Sequence, residues 1–206
     1  MRPTVVVALL AFAVASAGAA ADALVTMEGR IVREPNMQAQ SVRLSGTVPS
    51  PRAGERIEIL AKECLSAYYR QVAGTQTVAG GQWQIEVPLS SASAIVARWR
   101  GRRSAPFKAT PRIEVFLAHD EGTRRWTAGV SSFLTPANFS RRVVELQRLG
   151  PAGWVRVRRA RLRRAVFASY STTFFIPTRG LTMRVLVPDR TARPCFRAST
   201  SEIFRS

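Results

Sequence analysis

The chain has 206 residues, 46% hydrophobic and 21% charged, with a net charge of +18. That length fits one large domain or two small ones, and the apolar share excludes wholesale disorder. The 31 basic residues are all arginine but Lys62 and Lys108, a surplus that favours anionic surfaces and opposes self-association, although an Arg-for-Lys skew is also what a GC-rich genome produces.

The N-terminus reads as a leader. Met1-Arg2 is a short positive start, VVVALLAFAVA an apolar run, and SAGAAADA a stretch of small residues. Ala21-Asp22-Ala23 is an A-x-A cleavage site, with Ala17-Gly18-Ala19 as a rival, so residues 1–23 are expected to be removed and the mature chain to begin at Leu24, or at Ala20. The alternative is a membrane anchor, but the apolar run falls short of the ~20 residues that a spanning helix needs. No later stretch is long and apolar enough to span, so the mature protein is expected to be exported and soluble.

From there the pattern is β. Apolar residues recur with period two in RIEILAK (Ile57, Ile59, Ala61), QWQIEV (Trp83, Ile85, Val87) and AIVARW (Ile95, Ala97, Trp99). The same holds in RIEVFLA (Ile113, Val115, Leu117) and TMRVLV (Met183, Val185, Val187). Turn signals separate the runs: Pro49-Ser50-Pro51, Ala53-Gly54, Gly80-Gly81, Gly101, Pro136, Gly150-Pro151, Gly153, Arg179-Gly180 and Pro188-Asp189. No segment carries a helical stripe. An all-β sandwich is expected.

A weak repeat divides the chain. RIEILAK resembles RVVELQR (Arg142–Arg148); YYRQV (Tyr68–Val72) and WVRVR (Trp154–Arg158) follow them in turn. Each half closes on a strand, AIVARWRG and LTMRVLVP. Pro106 and Pro111 bracket a short extended linker, giving sandwich domains over residues 24–110 and 111–206. The first holds 12 basic and 6 acidic residues (+6), the second 18 and 6 (+12).

The densest basic stretch is WVRVRRARLRR, Trp154–Arg164. As a helix it would mix Val155, Leu162 and Val166 with Arg158 and Arg159, which rules out an amphipathic face. As a strand it sets Val155 and Val157 against Arg156 and Arg158. The phase then slips by one, so that Ala160 and Leu162 point inward with Arg159, Arg161 and Arg163 outward. Such a slip predicts a β-bulge or sharp bend.

VRLSGTVPSPRAGERIEILAKEC, TVAGGQWQIEV and SAPFKATPRIEVFL, continued by VVELQR, WVRVRRARL and PCFRASTSEI, resemble a group of secreted bacterial proteins with tandem immunoglobulin- or fibronectin-III-like β-sandwich repeats. The likeness covers most of residues 40–204. It implies two tandem sandwiches and an extracytoplasmic location, and brings no catalytic motif.

Candidate chemistry is sparse. His119 is the only histidine; His119-Asp120-Glu121 cannot complete a zinc set and reads as an exposed hairpin turn. No nucleophile elbow, dinucleotide fingerprint or P-loop occurs. Paired carboxylates for glycoside cleavage stay open, because pairing is spatial. Trp83 and Trp99 read as core and Trp126 is undetermined. Asn138-Phe139-Ser140 matches a glycosylation sequon, set aside because the chain resembles bacterial proteins. Cys64 and Cys195, in an exported chain, are expected to form one disulfide.

The expected function is therefore that of an exported, non-enzymatic, structural or adhesive protein of the cell envelope or extracellular space, with no cofactor and no metal. The alternative is a cationic module binding a cell-wall polymer, acidic polysaccharide or anionic surface through Arg156, Arg158, Arg159, Arg161, Arg163 and Arg164. Another extracellular protein is a further candidate partner. A genomic nucleic-acid target is not expected, since no nucleic-acid module is present and aromatics are not interleaved among the outward arginines.

Overall fold

Period-two alternation commits each strand to one buried face, and here the buried faces close into two sandwiches. The computed structural model describes residues 25–33, 40–120, 122–131, 137–165, 169–176 and 180–205. The expected leader lies outside the described residues, as do Glu121, Pro136 and Arg179. Among the described residues no helix is long and apolar enough to cross a membrane.

The first sandwich contains β1 (Glu28–Arg33), β2 (Gln40–Thr47), β3 (Arg56–Glu63), β4 (Arg70–Gln76), β5 (Gln82–Pro88), β6 (Ser93–Trp99), β7 (Arg102–Arg103) and β8 (Phe107–Ala109). One antiparallel sheet runs β1-β2-β5; the facing sheet runs β4-β3-β6-β7, with β8 also paired to β6. Because the fourth strand stays beside the third, the arrangement is an immunoglobulin-like sandwich of the fibronectin-III-like kind. Ile57, Ile59, Ala61, Trp83, Val87, Ile95, Ala97 and Trp99 are buried together with Val42 and Leu44, as the alternation predicts. Leu60 is buried as well, beside a register shift between β3 and β4 at Ile59/Leu60.

The second sandwich contains β9 (Glu114–Asp120), β10 (Arg125–Ser131), β11 (Val143–Gly150), β12 (Gly153–Arg161), β13 (Arg163–Arg164), β14 (Ser169–Phe175), β15 (Thr182–Val187), β16 (Ser199–Thr200) and β17 (Phe204–Arg205), with one helical turn, α1 (Asp189–Ala192), at the expected Pro188-Asp189 turn. Its sheets run β13-β14-β10-β9 and β12-β11-β15-β16, with β17 also paired to β15. Trp126, Phe139, Val144, Leu146, Leu162, Phe174, Met183, Val185 and Val187 form its core.

Two expectations need correction. The stretch between Pro106 and Pro111 is not wholly linker: Phe107–Ala109 is β8, with Ile95 opposite Phe107 and Ser93 opposite Ala109. Ala109 is buried and Phe107 packs on the core, so the connection shortens to residues 110–113. His119 is not loose on a turn. It lies directly across from Trp126 on β10 and stacks on it, with ring centroids 4.2 Å apart. Asp120 does behave as a turn residue, accepting hydrogen bonds from Gly122 N and, at 2.6 Å, from the Thr123 hydroxyl.

The arginine-rich stretch does bend, in two steps. Leu146 faces Arg158 while Gln147 faces Arg156, so Val157 is the extra residue of a bulge. Leu162 then turns into the core, and Arg163 and Arg164 pair with Ser171 and Tyr170 in the opposite sheet. Backbone bonds from Leu162 N to Arg142 O and from Arg141 N to Leu162 O, both 2.8 Å, hold the corner.

Cys64 and Cys195 form a disulfide with Cα atoms 5.4 Å apart. Around it, Ala92 N donates to Cys195 O at 2.8 Å and Arg197 N to Pro111 O at 2.9 Å. Gln40 clasps the connection from the first sandwich, donating to Arg112 O at 2.7 Å and accepting from Arg112 N at 3.0 Å.

Gly81 ends the tight turn before β5 with φ of +73°, and a Cβ there would lie 2.2 Å from the Ser50 carbonyl oxygen. Gly81→Ala meets both backbone strain and a clash with main chain that cannot swing aside. A loss of about 2 kcal/mol is expected, read by urea unfolding; unchanged stability would contradict the turn geometry.

Candidate functional site

The outer face of β12-β11-β15 is built by alternation. Val144 and Leu146 of β11 point into the core, so Glu145 and Gln147 point out. Cross-strand register places Arg161, Arg159 and Arg156 of β12 opposite Val143, Glu145 and Gln147. From the other side, β15 sets Leu186 opposite Glu145 and Arg184 opposite Gln147.

Glu145 is the counter-charge of this face. Its side chain is only 10% exposed, and one oxygen, Oε1, lies 2.9 Å from Arg159, 3.6 Å from Arg190 and 3.8 Å from Arg156. Three guanidinium groups thus share one carboxylate, and Arg161 and Arg184 add two more cations on the same sheet face. Gln147, one row along, brings no charge. Its Oε1 accepts from Arg184 Nε at 2.9 Å, while the Arg184 guanidinium lies 4.1 Å from the Trp154 ring centroid. Partial burial lowers the pKa of Arg184.

The six arginines singled out from sequence do not share one surface. Arg156, Arg159 and Arg161 lie on the outer face. Arg158 falls opposite Leu146, on the other side of the edge strand, and is exposed there. Arg163 and Arg164 belong to the opposite sheet. Among the described residues, Arg158, Arg161, Arg163 and Arg164 have no acidic partner within ion-pair distance. Val155 and Val157 are exposed on the same edge strand, at 47% and 39%.

The four tryptophans offer no open stacking platform. Trp83, Trp99 and Trp126 are buried and Trp154 is covered by Arg184. Among the described residues no group of three potential metal ligands comes together.

Sequence reasoning missed Glu145, Gln147, Arg184 and Arg190. Alternation in TMRVLV does place Arg184 on the outward side. Its partners come from other strands, and only the pairing register reveals them.

Acid titration reports on both sandwiches. Glu55 is held below the ordinary carboxylate range chiefly by the Ser50 hydroxyl, then by Trp99 Nε1 and Arg100. Glu86 is lowered by the Ser41 hydroxyl and then by Arg43. A carboxyl lowered on folding stabilises the protein above its unfolded pKa, about 4.3 for Glu. That stabilisation is lost as the pH falls through the folded value. The thermal midpoint should therefore decline as the pH is taken from about 5 to about 3, and Glu86→Gln should make the decline shallower. Burial pushes Glu114 the opposite way; its contribution is present at low pH and lost as the pH rises through its raised pKa. A midpoint that rises steadily on acidification would mean that Glu114 outweighs Glu55, Glu86 and Asp120, the last of which the Thr123 hydroxyl likewise lowers.

No protein family's profile matches this chain, and no curated protein matches it by sequence. Among solved structures it is similar to the selenomethionine-substituted chicken interferon gamma receptor alpha chain, at 12% identity, over 89% of this chain and 97% of that one, with a TM-score of 0.40. At that level the likeness is one of general shape and carries no assignment.

Proposed function

We propose that the protein is an exported, non-enzymatic β-sandwich protein with a structural or adhesive role at the cell envelope or outside the cell. The observation behind this reading is the Cys64–Cys195 bridge, which ties the C-terminal segment of the second sandwich to the end of β3 in the first. Disulfides persist in oxidising compartments, and a bridged pair of sandwiches suits a load-bearing or presenting element. The test is fractionation of the producing cells with non-reducing peptide mapping. A linked Cys64–Cys195 peptide in the extracytoplasmic fraction is expected; free thiols in a cytoplasmic protein would overturn the reading.

A second reading is favoured by the outer face of β12-β11-β15. There Arg156, Arg159, Arg161, Arg184 and Arg190 outnumber the single carboxylate of Glu145. On this reading the face binds an anionic polymer of the envelope, and binding weakens with salt as counterions are released. Retention on purified cell-wall fractions across salt concentrations tests it. Arg156→Ala with Arg161→Ala should lower the salt slope by roughly 1 for each arginine removed. Arg158→Ala with Arg163→Ala removes equal charge elsewhere and should leave the slope near that of the unaltered protein. Equal losses from both pairs would assign the binding to net charge and not to a face.

A further inference from the structure

Three arginines among the described residues are drawn in from full exposure: Arg98, Arg142 and Arg184. A cation leaving water needs a counter-charge or a full set of acceptors. Arg98 has Glu58, to which its Nε donates at 2.6 Å. Arg142 donates to the carbonyl oxygens of Thr191 and Arg193 and lies over the Phe139 ring. Arg184 has only a neutral amide and a ring face, and among the described residues no carboxylate pairs with it.

Those two contacts orient the group. The Trp154 face fixes the guanidinium plane, and the bond from Nε to Gln147 Oε1 fixes its rotation in that plane. Neither uses the two terminal amino groups, which remain as a paired donor. With its oxygen held by Arg184, Gln147 keeps its Nε2 amide as a further donor. Arg156 stands on the far side of Gln147 in the same cross-strand row. Adjacent strands lie about 4.8 Å apart, so the Arg156 and Arg184 backbones are about 10 Å apart. Two long side chains can converge from that distance on one group above Gln147.

We propose that Arg184, Gln147 and Arg156 form a receptor for a tetrahedral oxyanion, a sulfate or phosphate ester group. The anion supplies the counter-charge that Arg184 lacks. Donors approaching from three side chains suit a tetrahedral group better than a planar carboxylate, which the Arg184 fork alone could satisfy. The proposal rests on the polyanion reading for what carries the group, but binding of the inorganic ion stands apart from it.

The test uses the full, oxidised, mature chain. Sodium sulfate, phosphate and acetate are titrated separately, with ionic strength held constant by chloride, and the Gln147 side-chain amide resonance is followed. Saturable shifts are expected for sulfate and phosphate, with weaker ones for acetate; the tighter of the first two names the ester. Arg184→Lys keeps the net charge but loses the fork and the stack, and should weaken binding by about tenfold or more. Arg156→Ala, at an exposed position, should also weaken it. Arg158→Ala, one charge fewer and off the face, should bind as the unaltered protein does. Binding by Arg184→Lys and Arg156→Ala within twofold of the unaltered protein would overturn the receptor, as would a shift that never saturates. Polymer retention without sulfate or phosphate binding overturns the receptor alone; ion binding without retention overturns the polymer reading alone.

Discussion

Reducing the Cys64–Cys195 bridge is expected to lower the thermal midpoint by about 6–12 °C. The bridge spans 131 residues, for which chain-entropy reasoning gives about 5 kcal/mol, an upper figure that native strain and residual unfolded structure reduce to about 3. For a chain of this size each kcal/mol moves the midpoint by about 2–4 °C. The local setting argues against a smaller effect. Cys195 and its neighbour Phe196 are buried in the second core, and Cys64 packs against that core. Without the bridge, the bonds at the junction among the described residues include the Gln40–Arg112 pair, the Ala92–Cys195 bond and Arg197 N to Pro111 O. The two sandwiches should then melt as separate transitions. Calorimetry of the Cys64→Ala/Cys195→Ala variant beside the oxidised chain checks this. A midpoint moved by less than about 2 °C would show that the bridge adds little to stability.

Trp126→Ala should cost about 3–5 kcal/mol. The indole is fully buried, stacks on His119, and meets Phe204 edge-on with centroids 5.4 Å apart. Truncation would open a cavity between the sheets and release β17, which Phe204 anchors. Trp126 Nε1 is buried without a hydrogen-bond partner among the described residues. Trp126→Phe discards that costly N–H together with some apolar area, so its loss should be nearer 1–2 kcal/mol. Denaturant unfolding of the pair decides the matter: equal losses from Phe and Ala would mean that the N–H makes a bond after all.

The strands were legible wherever one face is buried without interruption. RIEILAK and TMRVLV alternate because a one-residue slip would carry their apolar side chains into water. WVRVRRARLRR showed that a phase slip occurs but misplaced it after Arg158, whereas the register shifts at Val157, because residues 155–159 of this edge strand are all exposed and no buried face fixes the phase there. The direction of the chain beyond Leu162 was not legible, because it depends on Arg163 and Arg164 finding Ser171 and Tyr170 in another strand. Phe107–Ala109 escaped notice because three residues between prolines are too few to display a period. The arginine face was only half legible: a run of arginines is conspicuous, whereas the carboxylate and amide that organise it come from β11, and Arg184 stands alone between apolar neighbours.

The bridge also determines which parts of the chain can carry tension. Pulled at residues 25 and 205, a chain with the disulfide intact transmits force from Cys64 directly to Cys195. Everything between them, including β4–β8 and most of the second sandwich, lies off the load path. The 131 residues withheld correspond to roughly 430–470 Å of extended backbone. The oxidised protein can therefore lengthen under force only through residues 25–64 and 195–205, and reduction releases the shielded remainder.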